Sequence, residues 1–144
     1  KHTVNLEFVK KCGETGSGRL CETMNNTIAI SAAGQVVPCY QMLGSPLSKK
    51  FKTIQQIGFK NCLDDEVYRK TVDLRIKDYW DSNPDCRKCR YAAICGAGCR
   101  VFALSANPEN YFAKDNVSCE LFHGGFDNKI KERFKDLDAN VNFR

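Results

Sequence analysis

Nine cysteines stand at positions 12, 21, 39, 62, 86, 89, 95, 99 and 119, and four of them fall within the stretch CRKCRYAAICGAGC, residues 86–99. Thiols at this density do one of three things: they oxidise to disulfides, hold zinc, or hold iron–sulfur clusters. Disulfides suit small secreted scaffolds that lack a core, whereas this chain has an odd cysteine count and no export signal. Cys86-x2-Cys89 is a spacing that lets two thiolates reach one ion from a single turn, and Cys95 and Cys99 can complete a tetrahedron. The two histidines, His2 and His123, lie outside the cysteine groups and read as ordinary surface or packing residues. A metal site here is therefore all-thiolate, which zinc and iron–sulfur clusters both accept.

Two four-thiolate sites use eight of the nine cysteines. Cys62, in FKNCLDD, has no partner at a clip spacing and reads as a buried, inert thiol. The rest form an upstream set (Cys12, Cys21, Cys39), the dense loop (Cys86, Cys89, Cys95, Cys99) and a lone Cys119. In the simple partition the loop is one site and the others form the second. In a crossed partition Cys99 and Cys119 change places, as happens to the last cysteine of the local run in two-cluster ferredoxins. Counting leaves both open.

The elements that must carry these thiols are short. NTIAIS and QVVPCY are β-branched runs separated by AAG, which predicts a hairpin with Gly34 at the turn. FKTIQQIG predicts a helical turn within an otherwise mixed stretch, 44–63, and residues 12–24 read as a glycine-bearing loop. From Asp64, taken as a cap, Tyr68, Val72, Ile76 and Tyr79/Trp80 recur at helical spacing up to DSNPD, and the cysteine loop follows. RVFALSA (100–106) reads as a short helix stopped at Asn107-Pro108, and a last amphipathic helix is expected from about Asp127, with Ile130, Phe134 and Leu137 on one face. The fold class this implies is α+β: a small β-hairpin, then helices and long loops organised around two metal sites rather than around a large sheet.

With 144 residues, 42% apolar and 27% charged, the chain is long enough for one modest core. The net charge of +5 is scattered and interleaved with acidic residues, with no stacking platform, so no nucleic-acid partner is expected. No apolar run is long enough to span a membrane. The chain begins at Lys1 without an apolar leader, so it reads as an excised piece of a longer, cytoplasmic protein. GETGSGRL carries Gly13 and Gly18 at phosphate-loop spacing, but Arg19 and Leu20 replace the Lys and Ser/Thr that grip phosphate, so it reads as a link.

Taken together, Cys21-x12-Gly34-x4-Cys39, then Cys86-x2-Cys89-x5-Cys95-x3-Cys99, then Cys119, resembles the seven-cysteine signature of the SPASM domain. That is the C-terminal auxiliary-cluster domain of radical S-adenosylmethionine enzymes that modify peptides and proteins, among them sulfatase-maturating enzymes and peptide maturases. The resemblance covers residues 12–122; residues 1–11 would then lead in from a missing N-terminal barrel, and 123–144 would form the C-terminal helix. It implies two [4Fe–4S] clusters in the crossed arrangement. The first would be held by Cys21, Cys39 and Cys99 with Cys12 as fourth ligand, or with an open iron should Cys12 not bind. The second would be held by Cys86, Cys89, Cys95 and Cys119. It also implies a peptide or protein substrate, and the chain's own N-terminal barrel as partner and binding place of S-adenosylmethionine. QVVPCY matches the family's hairpin strand ending in Pro-Cys, and CGAGCR resembles its glycine-rich approach to the fourth loop cysteine, with Ala97 where a glycine is common.

The radical-generating site of such enzymes needs Cys-x3-Cys-x2-Cys. Cys95-x3-Cys99 supplies two of the three, but Phe102 occupies the third position, so this chain has no catalytic residues and is not catalytic alone. The competing reading is a structural zinc-binding module for protein or RNA contacts; zinc could also fill these thiolates if the protein is prepared in air.

Overall fold

The computed structural model describes residues 18–126, 128, 129 and 132. The strand-like lead-in (1–11), Cys12, His2 and most of the expected final helix lie outside these residues.

The hairpin forms as its sequence predicts. Strand β1 (Ala29–Ile30) pairs antiparallel with β2 (Val36–Val37), matching Ala29 with Val37 and Ile30 with Val36. The Gly34 N–H donates to Ser31 O at 2.8 Å, and its φ of +82° is a left-handed conformation that glycine adopts without steric cost. On its other side β2 is covered by the segment after Phe51: Val36 N–H donates to Lys52 O, and Ile54 N–H to Gly34 O. Val36 and Val37 are consequently almost wholly buried, worth about 1.5–3 kcal/mol each in apolar transfer.

Before the hairpin, α1 (Glu22–Asn26) takes in the last three residues of the expected loop 12–24, with Met24 driven into the core. After it, two 3₁₀ turns (Tyr40–Met42 and Pro46–Lys50) lead to α2 (Ile54–Ile57). Thr53 and Gln56 close a reciprocal capping box at the start of α2, which is the turn expected in FKTIQQIG. α3 (Phe59–Asp64) follows across Gly58 and had no clear sequence signal.

The long helix expected from Asp64 is two helices, α4 (Glu66–Val72) and α5 (Ile76–Ser82). Asp65, not Asp64, supplies the cap, accepting from Val67 N–H at 3.0 Å. The interruption has a tertiary cause: Leu20 N–H donates to Leu74 O and Ile76 N–H to Gly18 O, so an extended strand passes beside residues 74–76 and takes their hydrogen bonds. The cysteine stretch is not a plain loop either. It contains α6 (Pro84–Arg87) and α7 (Ala92–Cys95). α8 (Arg100–Ala106) ends at Asn107 as predicted, and α9 (Asn116–His123), capped by Asp115, carries Cys119.

The main core joins the hairpin, Met24, Met42, Phe51, Cys62, Tyr68, Val72, Val101 and Leu104. A smaller cluster of Leu20, Leu74 and Tyr79 sits beneath the cysteine stretch, with Cys86 and Ala97 against it. The fold is α+β as expected, with one two-stranded sheet and short helices among the described residues.

Candidate metal centres

Cys21, Cys39 and Cys99 share a backbone setting. Each is the extended residue immediately before a helical turn: Cys21 before α1, Cys39 before the Tyr40–Met42 turn, and Cys99 before α8. Their side chains border the same core. Burial pushes the Cys39 thiol above its ordinary pKa, and the charges of Cys21 and Cys99 push it further, while the backbone N–H groups of Gln41 and Met42 offset part of the rise. The Cys99 sulfur also lies 3.5 Å from Gln41 Oε1. Cys99, although consecutive with the dense loop in sequence, therefore stands with Cys21 and Cys39 in space.

Cys86, Cys89, Cys95 and Cys119 line a second place, a largely apolar pocket of about 440 Å³ including the open solvent at its mouth. Cys86 comes from α6, Cys95 from the end of α7 and Cys119 from α9, so three helical turns converge there. Burial is the largest cause raising the Cys95 and Cys119 thiols, and the nearby thiolates add to it: Cys119 at Cys95, and Cys86 and Cys89 at Cys119. The turn Gly96-Ala97-Gly98 is left-handed throughout, with φ of +54°, +70° and +70°. It presents the N–H groups of Ala97 and Gly98 to Cys95, which lowers the cost of a charged sulfur. Ala97 adopts this conformation at a strain that a glycine would avoid. At Gly98 there is no room for a side chain: a Cβ would lie 2.6 Å from the Asp115 side chain.

Four further residues at these centres carried no motif. Tyr79, part of the apolar stripe, holds its hydroxyl 3.4 Å from Cys86 Sγ. Tyr91 N–H donates to Cys89 Sγ, and His123 Nε2 lies 3.5 Å from the same sulfur with its ring edge-on to Tyr91. The expected packing role of His123 therefore places it at the wall of a thiol pocket. Asp115 is buried and ties the two places together. Its Oδ2 accepts from Cys99 N–H at 2.8 Å and from the Ser118 hydroxyl, while its Oδ1 accepts from the N–H groups of Val117 and Ser118 at the head of the Cys119 helix. Burial alone would raise its pKa, but these donors outweigh it and the carboxyl is held below its ordinary range. Its spacing of four residues before Cys119, as a helix cap, was the available signal.

Cys62 stands apart, 2% exposed within the main core. Burial and, secondarily, Asp65 raise its thiol pKa, and its nearest polar partner is Lys52 O at 3.7 Å. Cys62→Ala is expected to leave metal content unchanged and to cost about 1 kcal/mol through the small cavity it opens; metal analysis beside urea denaturation checks both.

Among the described residues no three His, Cys, Asp or Glu side chains close tightly enough to share a single metal ion. The thiols of the second place surround a hollow rather than a point. No helix among the described residues is long and apolar enough to cross a membrane.

Thiols gathered in two places, with backbone N–H groups turned toward them, are an arrangement suited to a thiolate-bound cofactor. Residues 21–90 match the family model of SPASM, described as an iron–sulfur cluster-binding domain. The match is shorter than the expected 12–122 and stops before Cys95, Cys99 and Cys119. No curated protein and no solved structure matches the chain.

Proposed function

We propose that this chain is the auxiliary-cluster part of a radical S-adenosylmethionine enzyme that modifies a peptide or protein, and that it holds two [4Fe–4S] clusters. Cys21, Cys39 and Cys99, with Cys12 as fourth ligand, are the thiolates of the first; Cys86, Cys89, Cys95 and Cys119 are those of the second. The observation that carries this reading is the exchange of neighbours: Cys99 leaves its sequence partners for Cys21 and Cys39, and Cys119 joins Cys86, Cys89 and Cys95.

The donor set suits the group. All the candidate ligands are cysteines, and the four that line the second pocket stand around a hollow, which suits a guest of several irons better than one zinc, whose bonds of about 2.3 Å draw four sulfurs close together. The thiols at Cys39, Cys95 and Cys119 hold their protons more firmly than free cysteine, so they charge when a cation replaces the proton. When bound, such clusters pass single electrons or offer an iron to a substrate group. The chain's own part is to ligate, to exclude water with Tyr79, Trp80 and Phe122 along the second pocket, and to direct Ala97, Gly98 and Tyr91 N–H groups at sulfur. The radical itself would form in the partner barrel, where S-adenosylmethionine binds.

Anaerobic purification followed by iron, sulfide and zinc analysis and a visible spectrum tests the reading. A brown protein with about eight irons and eight sulfides per chain is expected. A colourless protein that holds about two zinc ions and takes up no iron on anaerobic reconstitution would replace it with the structural zinc module.

A further inference from the structure

Arg100 has no exposed surface at all, yet among the described residues it makes no ion pair. Its Nη1 donates to Ala113 O at 2.8 Å and its Nη2 to Ala97 O, two neutral carbonyls. Among the described residues its buried Nε–H has no hydrogen-bond partner. A guanidinium remains protonated in proteins and is costly to bury uncompensated, so a fold that buries one holds negative charge near it. Among the described residues no carboxylate at ion-pair distance supplies that charge. Arg100 directly follows Cys99, and its guanidinium lies over the Tyr79 ring, 5.0 Å from the centroid. The Tyr79 hydroxyl in turn meets Cys86 Sγ. Arg100 thus stands between the two thiol groups, next to Cys99 of one and one ring away from Cys86 of the other.

We propose that Arg100 is the counter-charge shared by the two cysteine centres, and that Tyr79 is the hydrogen-bond donor that tunes the Cys86 centre alone. This inference rests on the cluster reading above. A buried positive charge between two anionic groups favours the more negative, reduced form of each, and an O–H aimed at one ligand sulfur does the same for that group only. Both residues act through charge and hydrogen bonding at the ligands; they are positioning residues, not ligands.

The test is a redox titration of the intact, anaerobically reconstituted protein, followed by electron paramagnetic resonance, with iron and sulfide measured on every variant. Arg100→Met is expected to keep its iron and to shift the oxidised-to-reduced ratio of both signals at least tenfold toward oxidised, which is about 59 mV for a one-electron couple. Arg100→Lys, which restores the charge without the fork, should recover most of that shift. Tyr79→Phe should shift only the signal that Cys86→Ser abolishes. Arg100→Met with full iron and unchanged potentials would overturn the shared counter-charge, whereas a shift unrelieved in Arg100→Lys would reduce the residue to a brace for the Ala97 and Ala113 carbonyls. Should Arg100→Met fail to fold, Tyr79→Phe decides: an unshifted Cys86 signal, or an equal shift in both, overturns the proposal. Wild-type protein without iron would instead defeat the cluster reading itself.

Discussion

Replacing Cys99 by serine is expected to remove about half of the bound iron, and the signal that disappears should differ from the one lost in Cys86→Ser. The two residues lie in one stretch of fourteen, so a single closed site built from that stretch would lose the same signal in both variants. The structure sets Cys99 at the head of α8, beside Cys39 and its partner Cys21, while Cys86 faces Cys119 across the second pocket. Cys119→Ser should accordingly behave like Cys86→Ser, although thirty-three residues separate them. Quantitative iron analysis with spectroscopy of each variant reads the result. Identical losses in Cys99→Ser and Cys86→Ser would restore the simple partition.

Asp115→Ala is expected to have the largest effect of any substitution outside the cysteines. The carboxylate caps α9, satisfies the Cys99 N–H and receives the Ser118 hydroxyl. A lost cap costs about 1 kcal/mol, and a buried N–H left without its charged acceptor costs about 1–3 kcal/mol more, so a loss of about 3 kcal/mol is expected in urea denaturation. Asp115→Asn keeps an acceptor oxygen and should lose about half as much. Because one side chain sets both the Cys99 backbone and the Cys119 helix, the alanine variant should also weaken metal retention at both centres. A change below about 0.5 kcal/mol would show that the cap is not the tie between them.

Much of this was legible in the amino-acid sequence because it rests on local chemistry. The hairpin is announced by β-branched runs around Gly34, α2 by its Thr-x-x-Gln box, and the end of α8 by Asn107-Pro108. The isolation of Cys62 and the grouping of Cys86, Cys89 and Cys95 follow from spacing alone. What was not legible depends on tertiary contact. The split of α4 from α5 comes from residues 18–20 pairing beside Leu74, some fifty residues away in the chain. Tyr79 resembled any core aromatic because its hydroxyl matters only once α6 brings Cys86 to it. Arg100 looked like the first residue of an ordinary helix, and nothing local says that it is entirely buried. The crossed partition was implied by the resemblance of the cysteine pattern to the SPASM signature, whereas spacing by itself does not say which strand and helix ends meet.

The most direct measurement is anomalous scattering at the iron edge from crystals of the anaerobically prepared protein. Two iron sites are predicted, one bonded to Cys21, Cys39 and Cys99 and one to Cys86, Cys89, Cys95 and Cys119. Iron bound by Cys86, Cys89, Cys95 and Cys99 together at one site would contradict the account.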